Sequence, residues 1–386
     1  MESPTPSSSS SNRPPLARVL TKTLLRGALP AFAAAIVGGV TYVQGYTLGP
    51  FGLSHLVALW LTVAVAVAAT FGVVAGLAYV ARRWPDPTFF GVVAAVGLSI
   101  IALAVAIVGI LVYNSQASFR AFGWSFLFGQ IWDPNRQIFG VVPFVYGTLI
   151  TSALALLIAL PLALGSAIFI TTQAPRWLRR PIGSAIELLA AVPSVIYGFW
   201  GLYIVHPYMQ LTVEPALQKY LGWTGLFSGT PIGLDLLTAG VILAIMIVPT
   251  IAAVSRDTLA AVPAAQKEAA LSLGATDWET IHVAMLPYAR SGIIGGVILG
   301  LGRALGETMA VTMVVGNVDQ IPTSLLSHGQ TIASLIATEL LNNNGPLQIS
   351  AILECGLVLL LVSLLVNVVA RLLVWRVAKV GGGAIE

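Results

Sequence analysis

The segment VPAAQKEAALSLGATDWETIHVAMLP, Val262–Pro287, is a polar interval between two long apolar runs. Pro263 suits the first position of a helix and Gly274 the residue just past a helix end, so the sequence predicts a short helix over Pro263–Leu273. Thr276 followed three residues later by Glu279 is a capping box, which starts a second helix that Pro287 should interrupt. On the first helix Ala264, Ala265, Ala269 and Ala270 offer a small, smooth face beside Lys267 and Glu268. Two readings are open at this level. Such a helix fits a groove on a partner protein, or it rests as an amphipathic segment on lipid headgroups.

Working outward, the flanking runs decide the solvent. Of 386 residues 57% are hydrophobic and 9% charged, and the mean hydropathy is +0.90, whereas soluble domains carry roughly a quarter charged residues. About 20 apolar residues cross a bilayer core. Stretches of that kind recur at Leu29–Tyr46, Leu56–Ala81, Phe89–Tyr113, Val145–Ile170, Gly183–Val205, Asp235–Val254, Ser291–Gly316 and Gln348–Val374. The expected fold is therefore an all-α polytopic membrane protein of about eight transmembrane helices. Residues 1–28 read as a disordered basic tail, 29–83 as an added transmembrane hairpin, 84–378 as the main core with a loop at 255–288, and 379–386 as a C-terminal tail. A signal-peptide core competes for Leu29–Tyr46, but the charged region before it is long and Ala33–Ala35 precedes most of the apolar run.

Charge placement sets the orientation. With a cytoplasmic N-terminus, 15 of the 19 Lys and Arg residues fall on inner segments, Arg120, Arg136 and Lys219 lie outside, and Arg303 lies in the membrane. The positive-inside rule then puts both termini in the cytoplasm. Two long outer loops result, Asn114–Phe144 and His206–Leu234. Their aromatic residues suit either docking of an extracytoplasmic partner or anchoring at the interface. Gln330–Leu341 has apolar residues at helical spacing and should lie along the membrane surface.

Enzyme chemistry is thinly represented. The four histidines, His55, His206, His282 and His328, are scattered without metal-ligand spacing, and no serine sits in a G-x-S-x-G elbow. None of the lysines follows a glycine, which excludes a phosphate-binding Walker loop. No catalytic or metal residue is expected, and any ATP must be hydrolysed by another chain. Cys355 is the single cysteine, so no intrachain disulfide forms.

The run GLGRALGETMA, Gly300–Ala310, places Arg303 and Glu307 inside the seventh apolar stretch. On a continuous helix they share a face one turn apart. A charge at membrane depth costs about 2.5–3.5 kcal/mol on the insertion scale, so it needs a partner or a wet cavity. One reading is a structural ion pair. The other is an anion path, because guanidinium stays charged and its donors fit tetrahedral oxyanions. Glu307 beside it could accept the proton that phosphate keeps and sulfate lacks. The glycines Gly295, Gly296, Gly300, Gly302 and Gly306 serve close helix packing or open the backbone to the path. Pro161 with Gly165, and Pro193 with Gly198, should bend or interrupt two further spans. Glu354 is another acid within an apolar run.

Glu268, Ala269, Ala270, Gly274, Leu286 and Pro287 resemble the EAA loop of ABC importer permeases, with Ala284 where isoleucine is usual. FGVVPFVYGTLITS (Phe139–Ser152), ELLAAVPSVIYGFWGL (Glu187–Leu202) and GLGRALGETMAVTMVVGN (Gly300–Asn317) resemble the PstC-type permeases of bacterial phosphate importers. The resemblance covers about residues 89–377. It implies a six-helix type I-like importer core in the bacterial inner membrane and a path for inorganic phosphate past Arg303 and Glu307. It also implies docking of the EAA loop on an ATPase that binds ATP and Mg. The implied partners are a second permease subunit, two ATPase subunits and an extracytoplasmic phosphate-binding protein, with membrane lipid around them and no nucleic acid. Import of another oxyanion (sulfate, molybdate or phosphonate) is the alternative within the class. A proton-driven secondary transporter using Glu307 and Glu354, and a signalling scaffold, are the alternatives outside it.

Overall fold

The computed structural model describes residues 87–342 and 345–382. The expected tail and the first two apolar runs lie outside these residues. The chain divides into two units at Ala106/Ile107, and the packing described below is that of residues from Ile107 onward. Helix α1 (Pro87–Asn114) leads into α2 (Gln116–Phe122) and α3 (Ser125–Phe128). The long helices that follow are α4 (Val142–Ile168), α5 (Arg176–Ala190) with α6 (Ser194–Trp200), α8 (Leu236–Ala260), α11 (Leu286–Leu305) with α12 (Met309–Val314), and α14 (Pro346–Gly382). Shorter helices include α7 (Glu214–Leu221), α9 (Ala264–Ser272), α10 (Asp277–Thr280) and α13 (Ile332–Glu339). Among the described residues five helices are long and apolar enough to cross a membrane, or six if the bent α5–α6 pair is one span.

Helix α8 is the axis. Ile242, Ile247, Ile251 and Leu259 are fully buried along it, and α4, α11 and α5 pack around it. In lipid no hydrophobic force draws apolar helices together, so close contact depends on small residues. Helix α4 supplies a row at four-residue spacing, Ala155, Ala159, Ala163 and Ala167, all 0% exposed. Helix α11 supplies Gly296 against Val254 and Gly300 against Ile251; a methyl group at Gly300 would lie 2.7 Å from Ile251 Cγ1. These contacts make α11 antiparallel to α8. By contrast Gly295 and Gly302 have nothing within 4 Å of an added Cβ, and Gly306 meets only the Gly302 carbonyl at 3.7 Å. The glycines of this helix therefore divide between packing and open backbone.

Four expectations are corrected. Pro161 does not interrupt α4; the helix runs through it and ends in a π-helical turn, Phe169–Gln173. Pro287 does not interrupt its helix either. The π turn Ile281–Met285 precedes α11 and takes up the register that a proline in its first turn disturbs. The stretch Ser291–Gly316 is not one helix, because α11 ends at Leu305 and α12 starts at Met309. Gly306 lacks packing that would hold it in helix, and the Glu307 side chain turns to accept from the Ala310 N–H of the next segment, at 3.4 Å. Lastly, α13 turns its apolar residues to protein, packing on α4, α12 and α14. Ile332, Ala333, Ser334 and Leu335 are buried, and the Ile332 N–H donates to Thr148 Oγ1 of α4 at 3.0 Å.

In the segment between α1 and α4 part of the aromatics turn inward, a role neither reading gave them. Phe126, Trp132, Phe139 and Phe144 are buried together with Ile352 and Cys355 of α14, and Trp132 meets Phe139 and Phe144 edge-on at 4.8 and 5.3 Å. They form a core of their own, while Trp124 and Phe128 stay exposed. Glu354 belongs to this part of the molecule, 1% exposed. At the same end, Glu214 Oε2 accepts from the Gly233 N–H at 3.1 Å and Asp235 caps α8 by accepting from the Thr238 N–H at 2.7 Å. The final helix continues to Gly382, past the start of the expected tail at Lys379.

Candidate functional site

Two regions carry the predicted site residues. The first lies where three helices lose regularity at one level. Helix α11 ends two residues after Arg303, at Leu305, and the non-helical residues Glu307 and Thr308 follow. On α8, Pro249 sits inside the helix directly before Thr250; having no N–H, it leaves the Ile245 carbonyl without its helical partner. Helices α5 and α6 meet at 91° across Ala191–Pro193. The expected break at Pro193 is thus present, but the single span Gly183–Val205 is replaced by a bent pair whose first arm starts at Arg176. Pro193 cannot donate to the Leu189 carbonyl, which accepts from the Val192 N–H at 3.3 Å and from the Tyr197 hydroxyl at 2.8 Å.

These breaks are packed together. An added Cβ at Gly198 of α6 would meet Met313 Sδ at 2.5 Å and Ala310 Cα at 3.1 Å, both on α12. Gly201 fits between Val314 of α12 and Ile242 of α8. The half-helices beyond the two breaks therefore lean on each other and on α8. Thr250 is fourteen residues from the start of α8 and ten from its end, about 21 and 15 Å of helix. The Arg303 guanidinium donates from Nη1 to Thr250 Oγ1 at 3.3 Å, which places it near the middle of the bundle. Arg303 and Glu307 are both partly exposed. No ion pair joins them, whereas Arg136 and Arg256 do form salt bridges. The structural ion pair is therefore absent here, because the break carries Glu307 off the face that a continuous helix would give it. Thr250 and Tyr197 were not singled out by sequence. Neither stands out in an apolar run, although a proline immediately before a hydroxyl residue in mid-helix is a signal of a freed backbone group.

The second region is the 262–287 loop. Helix α9 forms over Ala264–Ser272 and contains no buried residue. Gly274 follows with φ +89°, a left-handed conformation that side chains disfavour. The capping box is complete: Thr276 N–H donates to Glu279 Oε2 at 2.8 Å and Glu279 N–H to Thr276 Oγ1 at 3.3 Å. Glu268, Ala269, Gly274 and Pro287 are exposed, while Ala270 and Leu286 are half-buried. Gln266, Ala269, Val283, Ala284, Pro287 and Tyr288 line an open cleft. Leu273, Trp278 and Val283 are exposed apolar side chains of the same loop, Leu273 at 89%. Beneath, Ile281, Met285, Ala289 and Ile293 bury against Leu259 and Val262 at the end of α8 and Ala167 of α4. The loop is thus a rigid projection rooted in the same helix that holds Thr250.

Between the two regions Arg256 joins α8 to α5. Its Nη2 lies 3.0 Å from Glu187 Oε1 and its Nε donates to Asp257 Oδ1 at 2.9 Å, with Gly183 giving way to the guanidinium. This bridge, which sequence did not reveal because its partners are 69 residues apart, ties the arm before Pro193 to the helix that enters the loop. On the opposite end Asp319 is pushed up to about 6, first by burial and then by the neighbouring Glu339 carboxylate.

Residues 159–379 match the family model of the binding-protein-dependent transport system inner membrane component. Similar curated proteins include the phosphate transport system permease protein PstC of Pasteurella multocida. It is 50% identical over 284 residues, covering 72% of this chain and 88% of the relative. The protein of the same name from Haemophilus influenzae is 46% identical over 308 residues, covering 79% and 98%. A probable phosphate transport system permease protein PstC of Methanocaldococcus jannaschii is 35% identical over 275 residues, covering 69% and 86%. The matched region contains both breaks, the Arg256 bridge and the 262–287 loop. This chain belongs to the family of binding-protein-dependent transport system inner membrane components.

Proposed function

We propose that this chain is the membrane permease subunit of an ATP-driven importer of inorganic phosphate, with Arg303 as the contact for the anion in mid-membrane. The observation that carries the reading is a partly exposed guanidinium held at the meeting of broken helices, paired to a neutral hydroxyl and not to a carboxylate. An arginine satisfied by a carboxylate would be a structural pair; one left with donors to spare attracts an oxyanion. The names of the relatives support phosphate as that anion. The chain carries no covalent chemistry in this reading. It alternates access, and the ATP and Mg are bound by two ATPase subunits that receive α9 and the cleft beside it. A second related permease completes the path, and an extracytoplasmic phosphate-binding protein delivers the substrate. Both termini face the cytoplasm, in keeping with the placement of lysine and arginine.

Family membership favours ATP-driven transport over a proton-driven carrier through Glu307 and Glu354, and Glu354 sits within the aromatic core beside Ser118 of α2. The test is labelled phosphate uptake, with sulfate and molybdate as competitors, in cells carrying the intact chain or Arg303→Ala at matched membrane abundance. Loss of uptake in the variant, with competition by neither anion in the parent, supports the reading. Uptake that molybdate or sulfate competes away assigns a different oxyanion.

A further inference from the structure

The hydroxyl of Thr250 is bonded unlike those of Thr148 and Thr151 on α4 and Thr258 on α8. Thr148, Thr151 and Thr258 each donate back to the carbonyl four residues earlier, at 2.7–2.8 Å, which satisfies a hydroxyl within its own helix. Thr258 does so two turns further along the same helix α8. Thr250 donates to no acceptor among the described residues. Its oxygen receives the Arg303 Nη1 donor at 3.3 Å, so the lone pair is used and the hydrogen is not. Pro249 directly before it has already removed one backbone bond from this turn of α8. Here, then, a half-buried O–H with no helical partner stands beside a guanidinium with donors remaining, at the level where α11 stops.

We infer that Thr250 is a substrate-contacting residue of the translocation path, holding Arg303 with its lone pair and giving its hydrogen to a tetrahedral oxyanion seated on the guanidinium. The inference rests on the reading of Arg303 as the anion's contact. Its chemistry is that of a transit site. A guanidinium fork covers two oxygens of the anion, and a hydroxyl covers a third without adding charge. A second cation in its place would deepen the site and slow release, whereas passage needs binding weak enough to leave. Tyr197 cannot take this part, since its hydroxyl hydrogen is given to the Leu189 carbonyl.

The test is initial-rate uptake of labelled phosphate over a range of concentrations, by the complete transporter in cells without another phosphate importer. The chain carries Thr250→Val, Thr250→Ala, Thr250→Ser or Arg303→Ala at matched membrane abundance. Thr250→Val and Thr250→Ala should each lower Vmax about tenfold, the factor a hydrogen bond to a charged group supplies. KM, set by capture outside the membrane, should not move. Thr250→Ser, which keeps the hydroxyl, should stay within about twofold of the parent. A purely structural role predicts instead that Ala and Ser, both smaller than Thr, behave alike, and that result overturns the inference. Thr250→Val with parental Vmax beside an inactive Arg303→Ala also overturns it while leaving the Arg303 reading in place. Full uptake by Arg303→Ala overturns the reading on which the inference stands.

Discussion

The 262–287 loop and the Arg303 break are built by opposite means. The loop is regular where a loop need not be. A glycine past the helix end, a two-bond capping box and a buried root of Ile281, Met285 and Leu259 fix its shape, and nearly all of its remaining surface is exposed. The break is irregular where a membrane helix should be regular, with prolines at 193 and 249 and a gap at Gly306–Thr308. One region uses local sequence signals to fix the shape of an exposed surface, the one proposed above to meet the ATPase. The other gives up helical hydrogen bonds at membrane depth, which is tolerated only where protein or water meets the freed groups. The contrast teaches that rigidity and irregularity are both specified, and that they meet on α8, whose end carries the loop and whose middle carries Thr250.

The comparison can be broken most directly at Arg303. Arg303→Ala should reduce phosphate uptake at least about a hundredfold, since removing a charge from a desolvated polar contact costs several kcal/mol, while leaving the chain's association with its ATPase intact in pull-down from membranes. Next comes the loop. Gly274→Val forces a β-branched residue into φ +89°, a strain of about 1–2 kcal/mol. It should weaken co-purification of the ATPase and lower uptake several-fold, without altering thermal stability of the helical core.

Tyr197→Phe sharpens the account of the break itself. It removes the side-chain donor to the Leu189 carbonyl beside Pro193 and should lower the melting temperature of the purified transporter, by an amount corresponding to about 1 kcal/mol. The smallest effect is expected at the end remote from the loop. Asp319 is pushed up to about 6 from an ordinary 3.8 by burial and Glu339. A carboxyl raised in the folded state makes the protein less stable as pH climbs from about 4 to 6, and the penalty is constant above that window. Asp319→Asn removes the penalty, so it should stabilise the protein at pH 7.5 by up to about 1 kcal/mol after allowance for solvent screening, and the gain should vanish near pH 4. Melting curves of parent and variant at the two pH values check the sign.

What was legible in the sequence follows the same division. Pro263, Gly274, Thr276 and Glu279 act within four residues of themselves, so the loop's helices are legible from local sequence alone. The apolar runs were legible for a related reason, since each span answers to its own composition. Arg303 stood out by its cost. The gap after it did not, because GLGRALGETMAVTMVV has the apolar character of a continuous helix and only the Glu307–Ala310 bond and the absence of packing at Gly302 and Gly306 show why it stops. Thr250, Tyr197 and the Arg256–Glu187 bridge were hidden because their meaning lies in partners 53, 8 and 69 residues away. Pro161 misled in the opposite direction. The residues around it, Ala159 and Ala163, are buried against neighbouring helices, and that packing holds the helix through a residue that would otherwise end it.

The central claim is that passage of the anion and engagement of the ATPase are separate tasks of separate regions on one helix. The measurement that tests it most directly takes Arg303→Ala and Gly274→Val in the same membranes and records, for each, phosphate uptake and the amount of ATPase subunit retained on the purified chain. The account predicts that Arg303→Ala loses uptake with the ATPase fully retained, and that Gly274→Val loses uptake in proportion to the ATPase it loses. Loss of the ATPase from Arg303→Ala, or full uptake by that variant, would contradict it.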